Sequence, residues 1–412
     1  MSQSRLQIED PGDAGRTAGR GIASHALFGR AFRPFFLAAG LYAPLAVAAW
    51  LGVWLGALPA PRWLAPVSWH GHEMLFGVVT AAISGFLLTA APVWTGRAAL
   101  HGAPLAALFA LFVSGRLAML AAGVLPAAVV AGLDLAFLPL VALVLARTVW
   151  RSGQWRNYGV VALVALLALG NAAVHAEALG VTTDSASRAL RITADGVVLL
   201  IVVIGGRITP PFTTNALLRA GVTARAESPL WLDRLAVAAT GLLAAVDLVA
   251  PRSAASGLAA AAAGLAVAAR MAGWQTLRTL RDPLVWSLHA GMAWVALGLG
   301  LVAAGDLGAP VPASAGLHAL TAGAMGSMIL AVMTRVSLGH TGRALVLPRG
   351  ASAAYALVHA GAIARVAAAF APVDTQSALL ALGGGLWAAA FAVFAALYAP
   401  ILSSPRVDGK EG

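Results

Sequence analysis

The chain has 412 residues, of which 60% are hydrophobic and only 10% charged, and its formal net charge is +11. A soluble domain carries about 25% charged residues, so this composition excludes an ordinary soluble protein and predicts an integral membrane protein. Cysteine is absent, which excludes disulfides, iron–sulfur clusters, thiolate-ligated haem and covalently attached c-type haem.

The first segment of the chain, residues 1–34, is polar and rich in arginine and glycine. It lacks the apolar core of a signal peptide and has no twin-arginine signal, so we expect it to remain in the cytoplasm. A twelve-helix transmembrane domain is predicted over 35–402, and a short cytoplasmic tail over 403–412.

Twelve apolar runs follow the polar segment, each about 20 residues long and therefore able to cross a bilayer as a helix. They are 35–57, 69–92, 103–122, 125–147, 157–179, 190–211, 231–250, 254–279, 284–304, 313–338, 351–371 and 376–402. The predicted fold class is all-α, a polytopic membrane helical bundle of about twelve helices. In the sixth run, Pro210 and Pro211 are predicted to end the helix.

The arginines indicate the orientation of the bundle. One set of alternate loops, with both tails, holds most of the basic residues: Arg5, Arg16, Arg20, Arg30, Arg33, Arg97, Arg151, Arg156, Arg219, Arg225, Arg278, Arg281, Arg343, Arg349, Arg406 and Lys410. The other loops hold little beyond Arg62, Arg188 and Arg252. By the positive-inside rule, both termini are predicted to be cytoplasmic. The net charge then reflects membrane topology and does not indicate a nucleic-acid partner.

Spans two and ten resemble each other at a constant offset of 246 residues, which relates His72 to His318 and 95–98 to 341–344. The end of span six matches the end of span ten at an offset of 128, although Leu190 stands where His318 would correspond. Spans two, six and ten are each four spans apart. This spacing predicts internal four-helix repeats in parallel orientation.

Four histidines are predicted to lie toward the non-cytoplasmic side of the membrane. His70 and His72 begin span two there, and His318 lies about one turn into span ten. His175 returns to that side after about 27 Å of helix in span five. The same half of the bundle holds other side chains of interest: Glu73, Met74, Glu177, Arg191 and Asp195. Ionisable groups inside a bilayer are costly and usually mark function.

A second group of polar side chains is predicted near the cytoplasmic side. Its members are His289, His340, His359, Arg207 and Arg335. Either arginine is suited to bind a haem propionate or to extend its charge to the membrane surface. Two roles likewise remain open for each histidine: it binds a metal, or it forms hydrogen bonds at a helix end.

The histidine pattern has consequences for metal chemistry. Haem iron takes one or two axial imidazoles, and copper favours imidazole supported by thioether or carboxylate. On an ideal helix His70 and His72 point about 200° apart. They therefore share one metal only if the helix start unwinds at Gly71, and otherwise serve two centres. Met74 and Met325 are candidate soft ligands, although core packing is the commoner role of methionine.

The acidic residues in and near the spans are candidates for proton transfer or for orienting a metal ligand. Asp134, Asp195 and Asp247 appear one at a time along the chain and read as isolated intramembrane acids. Asp195, which lies near Arg191, is the candidate for a proton path. Glu73 and Glu177 are candidates for orienting a ligand histidine or relaying protons.

Several stretches together resemble the NnrS family of bacterial membrane proteins. They are "FRPFF" (32–36), "WHGHEMLFG" (69–77), "GFLLTAAPVWTGR" (85–97), "GGRITPPFTTNAL" (205–217) and "HALTAGAMGSMILAVMTRVSLGHTGR" (318–343). The resemblance covers most of the chain. Two positions depart from the family pattern: Val93 before "WTG", and Pro211 where an aromatic residue is common.

The resemblance implies a haem- and copper-containing protein of about twelve spans in a bacterial inner membrane, linked to nitric oxide metabolism, denitrification and nitrosative stress. Carried over by motif, His70, His72, His318 and His340 are the implied metal ligands. His175 and His289 stand where the family also has histidine, within shorter motifs.

Two functions from different classes remain. The first is a protein that handles nitric oxide at haem b and copper; if it is catalytic, it is an oxidoreductase supplied with electrons by quinol or a donor protein. The second is a twelve-span transporter or metal exporter whose histidines bind substrate transiently, which predicts substrate groups near the bilayer centre.

Overall fold

The computed structural model describes residues 25–409, so Arg5, Arg16, Arg20, Lys410 and most of the polar segment lie outside the described residues. The described part of the chain is all-helical. Its long helices are α1 Phe32–Trp54, α2 Pro66–Thr95, α3 Gly102–Leu120, α4 Ala127–Trp150, α5 Tyr158–Ala178, α6 Ser185–Arg219, α7 Leu230–Val249, α8 Ala254–Ala272, α9 Pro283–Asp306, α10 Ala313–Gly339, α11 Ala351–Ala367 and α12 Val373–Ser403. Short 3₁₀ turns occupy Ala26–Phe28, Trp155–Asn157 and Thr276–Thr279.

Ten of the helices in the described part are long and apolar enough to cross a membrane. The other two coincide with predicted spans seven and eleven. Helix α7 has 20 residues but carries Asp233, Arg234 and Asp247, and α11 is apolar but has only 17 residues. The chain is therefore a multi-pass membrane protein, built from helices because a helix satisfies its own backbone polar groups in lipid.

The even-numbered helices begin at one end of the bundle. We call this the His72 end, and the opposite end the His340 end. Four of these helices start at or directly after a proline: Pro66, Pro126, Pro312 and Pro372. Proline suits a helix start because its missing N–H would have no partner there. The first and third of these prolines, and the second and fourth, are each separated by the offset of 246 residues that relates spans two and ten.

Helices α2, α6 and α10 form the centre of the bundle. Each contacts the other two, and the remaining helices surround them, with α1 packed against α12. The apolar windows of these three helices are 83%, 61% and 67% buried, against 33–50% for the other spans. The three spans that the sequence relates to one another are thus the three that lie away from lipid.

Helices α2 and α10 share a local change of backbone. Each contains a seven-residue π-helical turn that starts immediately after its histidine, Glu73–Val79 after His72 and Ala319–Met325 after His318. Glycine allows a neighbour to approach each turn, since a Cβ on Gly77 would lie 2.6 Å from the Tyr42 ring. Such π-turns occur frequently at functional sites.

The predicted end of the sixth span was wrong. Helix α6 continues through Pro210 and Pro211 to Arg219. Proline removes a helical hydrogen bond, but it is tolerated inside membrane helices when neighbouring helices and hydroxyl side chains satisfy the freed backbone groups. Here α6 is in contact with several other helices along its length.

Candidate metal centre

A buried polar cluster lies near the His72 end, where four helices meet. Helix α2 supplies two of its side chains, α3 and α4 one each, and α5 two. The six residues are His72, Glu73, Arg116, Asp134, Asn171 and His175, and each is at most 6% exposed. We call these residues the His72 cluster.

The local sequence explains how these side chains meet. Asn171 and His175 are four residues apart, so they project from one face of α5. Gly115 lets α3 approach α4 closely, because a Cβ there would lie 3.1 Å from the Cα of Asp134. That approach brings the neighbouring Arg116 within reach of the Asp134 carboxylate.

The cluster brings two imidazoles and a carboxylate to one point. His72 Nε2 lies 3.2 Å from Asp134 Oδ2, and His175 Nε2 lies 2.8 Å from the same oxygen. The two rings are edge-to-face with centroids 5.3 Å apart. Their ligand atoms all lie within 4.8 Å of one another, a spacing that suits a single metal ion.

Further side chains hold this constellation in place. The Nδ1 of His72 lies 2.8 Å from Glu73 Oε1, so it donates to that carboxylate. Glu73 Oε2 accepts from Arg116 at 2.8 Å and from the Tyr42 hydroxyl. Arg116 also pairs with the second oxygen of Asp134. A ligand histidine whose other ring nitrogen donates to a carboxylate is the usual arrangement at protein metal sites.

The charges of the cluster do not balance without one more cation. Glu73 and Asp134 are two carboxylates, and Arg116 is one guanidinium. Asn171 donates its amide to Asp134 at 2.8 Å, which leaves its oxygen 2.9 Å from His72 Nε2. If His72 donates through Nδ1 and is neutral, its Nε2 lone pair faces two oxygens. A proton or a metal cation resolves this contact.

His70 and His318 form a second group at the same end. His70 stacks on Trp50 with ring centroids 4.6 Å apart, and its Nδ1 is buried without a hydrogen-bond partner in the described part of the chain. His318 Nδ1 lies 2.8 Å from the Ser314 carbonyl and donates to it, which leaves Nε2 with a lone pair. Arg365 of α11 is close enough to interact electrostatically with both histidines.

The four histidines predicted on one side therefore divide into two groups. The structure brings together His72 and His175, and it places His70 near His318. The division follows from the opposite directions of His70 and His72 on α2, which is one of the two arrangements that the sequence left open.

The histidines predicted on the other side lie elsewhere. Both ring nitrogens of His289 face hydroxyls, Thr213 at 2.8 Å and Thr276 at 2.9 Å. The His340 ring packs on Phe32, and burial beside nearby arginines lowers its pKa, so it is neutral.

The predicted propionate-binding arginines also lie toward the His340 end. Arg335 covers the Phe212 ring, with its guanidinium carbon 3.9 Å from the ring centroid. Arg207 donates to Asn157 at 3.4 Å. Neither arginine is near the His72 cluster.

The remaining candidates have identifiable surroundings. Met325 is 1% exposed within the apolar core, and Met74 packs against that core. Glu177 accepts from the Ala186 backbone N–H at 2.7 Å and so links α5 to the start of α6. Asp195 lies in a separate acidic group on α6–α9, beside Asp247.

Sequence reasoning missed three members of the His72 cluster. Its sequence context indicated an isolated acid, but Asp134 accepts from Arg116 and Asn171 and contacts His175. Arg116 and Asn171 were not recognised at all. An arginine and an aspartate inside neighbouring apolar spans were the available signal, since such charges inside a membrane pair with each other.

One of two comparisons with known proteins agrees with the resemblance. A search of curated proteins finds no match. The model of the family described as NnrS protein matches residues 26–406, nearly the whole chain. The chain belongs to the NnrS family.

Proposed function

We propose that this protein binds a copper ion at the His72 cluster and handles nitric oxide within the helix bundle. The observation that carries the proposal is the convergence of His72 Nε2, His175 Nε2 and Asp134 Oδ2 in a fully buried site. Family membership supports the link to nitric oxide, because the NnrS resemblance implies nitric oxide metabolism.

The residues of the cluster fit a copper ion. Two imidazole nitrogens and a carboxylate oxygen are ligands that a divalent first-row metal accepts, and copper binds such nitrogen donors strongly. The extra positive charge that the cluster lacks would come from the ion. When bound, copper would supply a redox-active centre with affinity for a small diatomic ligand.

The surrounding side chains then have defined tasks. Glu73 holds Nδ1 of His72 protonated, so that Nε2 faces the ion. Arg116 fixes the orientation of Glu73 and Asp134 at once, because it bonds to both carboxylates. Tyr42 completes the hydrogen bonds of Glu73. Each residue of the cluster is at most 6% exposed, which limits the access of water, while nitric oxide, which is small and apolar, is able to enter from the bilayer.

The donor atoms of the second group, His70 and His318, are suited to a b-type haem. His318 has a free Nε2 lone pair and His70 a buried nitrogen without partner, and Arg365 offers a cation for a propionate. Haem would supply an iron centre able to bind nitric oxide. Arg207 and Arg335 remain candidates only for a group bound toward the His340 end.

We also propose a membrane location for the protein and a source of electrons. We place the protein in a bacterial inner membrane with both termini in the cytoplasm, in twelve spans, and with quinol or a protein as electron donor if it acts as an oxidoreductase. A transporter or metal exporter would need polar groups along the midplane. The ionisable clusters on α2–α5 and α6–α9 lie near one end of the helices instead.

Substitution of His318 by alanine tests the haem assignment. We expect the Soret absorbance of the purified protein to fall to background, because one of the imidazoles that would hold the haem is lost, while the copper content is unchanged. The matched control is His101→Ala, which removes an exposed histidine at the start of α3. A His318→Ala protein with full haem absorbance would contradict the assignment, and a colourless wild-type protein would remove haem from the proposal.

A further inference from the structure

A second buried ionic group lies at the His72 end, between α6, α7, α8 and α9. It contains three carboxylates, one guanidinium and one hydroxyl: Asp195, Asp247, Asp306, Arg191 and Ser256. We call these residues the Asp195 cluster. None of them belongs to the His72 cluster.

Asp247 is the centre of this group and is completely buried. Its Oδ2 accepts from Arg191 Nε at 2.7 Å, and its Oδ1 accepts from Ser256 Oγ at 2.6 Å. Arg191 Nη2 also lies 3.6 Å from Asp306. One partly exposed guanidinium thus serves two carboxylates, and a third carboxylate is still to be balanced.

The hydrogen bonds of the group require an additional proton. Asp195 lies beside Asp247, and its Oδ2 is buried without a hydrogen-bond partner among the described residues. A contact between two carboxyl groups becomes a hydrogen bond only when one of them is protonated.

Asp195 is 7% exposed, so an ionised carboxylate there would be buried without a donor. Such a burial is expensive, and a group in that position takes up a proton instead. The carboxylates that face it are Asp247 and Asp306, and the facing cation is Arg191. With Asp195 protonated, it donates to Asp247 and the buried charges come closer to balance.

The group also has a route to water. A cleft of about 290 Å³ is lined by Arg191, Arg252, Gly305, Asp306 and Ala313, among others. Two of these residues belong to the Asp195 cluster. The chain of contacts therefore runs from the cleft to Asp306 and Arg191, then to Asp247, and ends at Asp195, one helical turn deeper on α6 than Arg191.

We propose that Asp195, held against Asp247, is a proton-binding site that exchanges with the aqueous phase through the cleft at Arg191 and Asp306. The site goes beyond the metal centre and does not depend on it. It binds and releases a proton without any redox step, so no other reactant is required.

Infrared spectroscopy of the purified full-length protein tests this site. The wild-type protein should show the carbonyl stretch of a protonated carboxyl group, and the band should shift completely on transfer to deuterium oxide. Asp195→Asn, which has the shape of the protonated acid, should lose the area of one carboxyl group and unfold at an unchanged temperature. Asp184→Asn, an exposed acid just before α6, is the matched control and should keep the band.

Several results would overturn the proposal. They are a wild-type protein without the band, a band that does not exchange, and a band that persists in full in Asp195→Asn. Sodium chloride is compared with choline chloride as a further arm. If sodium raises the wild-type unfolding temperature but not that of Asp195→Asn, Asp195 is an ionised cation ligand and the proton site is wrong. If Asp195→Asn does not fold, the wild-type band and its exchange decide.

Discussion

The His72→Ala protein is expected to lose its copper while it keeps its haem. His72 provides one of three converging ligand atoms, and alanine leaves only His175 and Asp134. Replacing a side chain that merely orients a ligand costs about 10–100-fold in metal affinity. Loss of the ligand itself should therefore cost at least about 100-fold, which leaves background copper in the purified protein.

Metal analysis and the visible spectrum measure this outcome together. His175→Ala should behave in the same way, because its Nε2 shares Asp134 Oδ2 with His72. The control is again His101→Ala. Full copper in both His72→Ala and His175→Ala would show that the ion, if present, is held elsewhere.

Replacement of Arg116 by methionine is expected to destabilise the protein strongly. Among the described residues, the guanidinium is the one cation that contacts both Glu73 and Asp134, and all three side chains are at most 7% exposed. Methionine fills a similar volume but leaves two buried carboxylates without their partner. Removal of one partner from a buried ion pair costs about 3–5 kcal/mol, so the unfolding temperature in detergent should fall clearly.

Two further variants identify the cause of the lower unfolding temperature. Arg188→Met removes an exposed arginine from the first turn of α6 and should leave the unfolding temperature nearly unchanged. The double variant Arg116→Met with Asp134→Asn removes one of the two unpaired charges. It should be more stable than Arg116→Met alone, as a coupled pair requires. If the losses of stability caused by Arg116→Met and by Asp134→Asn simply added in the double variant, the two residues would not interact.

Much of the fold follows from local properties of the sequence. Apolar runs of bilayer length predict the helices because lipid leaves the backbone no other partner than its own helix. The offset of 246 residues likewise relates two helices that share a π-turn after His72 and His318. The end of α6 was not predictable in this way, since the tolerance of Pro210 and Pro211 depends on neighbouring helices.

The candidate site was predictable only in part. The positions of His72 and His175 along their helices predicted that both lie toward one end of the bundle, and their ring centroids are 5.3 Å apart. The angle between His70 and His72 allowed for two groups. The partners Arg116, Asp134 and Asn171 depend on which faces of α3, α4 and α5 turn toward α2. Those rotations are set by packing between helices, such as the close approach at Gly115. The hydropathy of the sequence does not predict them.

The central claim is that a metal ion sits between His72, Asp134 and His175. An anomalous difference map at the copper absorption edge, from crystals of the protein as purified, tests it most directly. We expect a peak about 2 Å from both Nε2 atoms and from the Asp134 carboxylate. A map with no peak there, with His72 and His175 still hydrogen-bonded directly to Asp134 and copper found at another place, would contradict it.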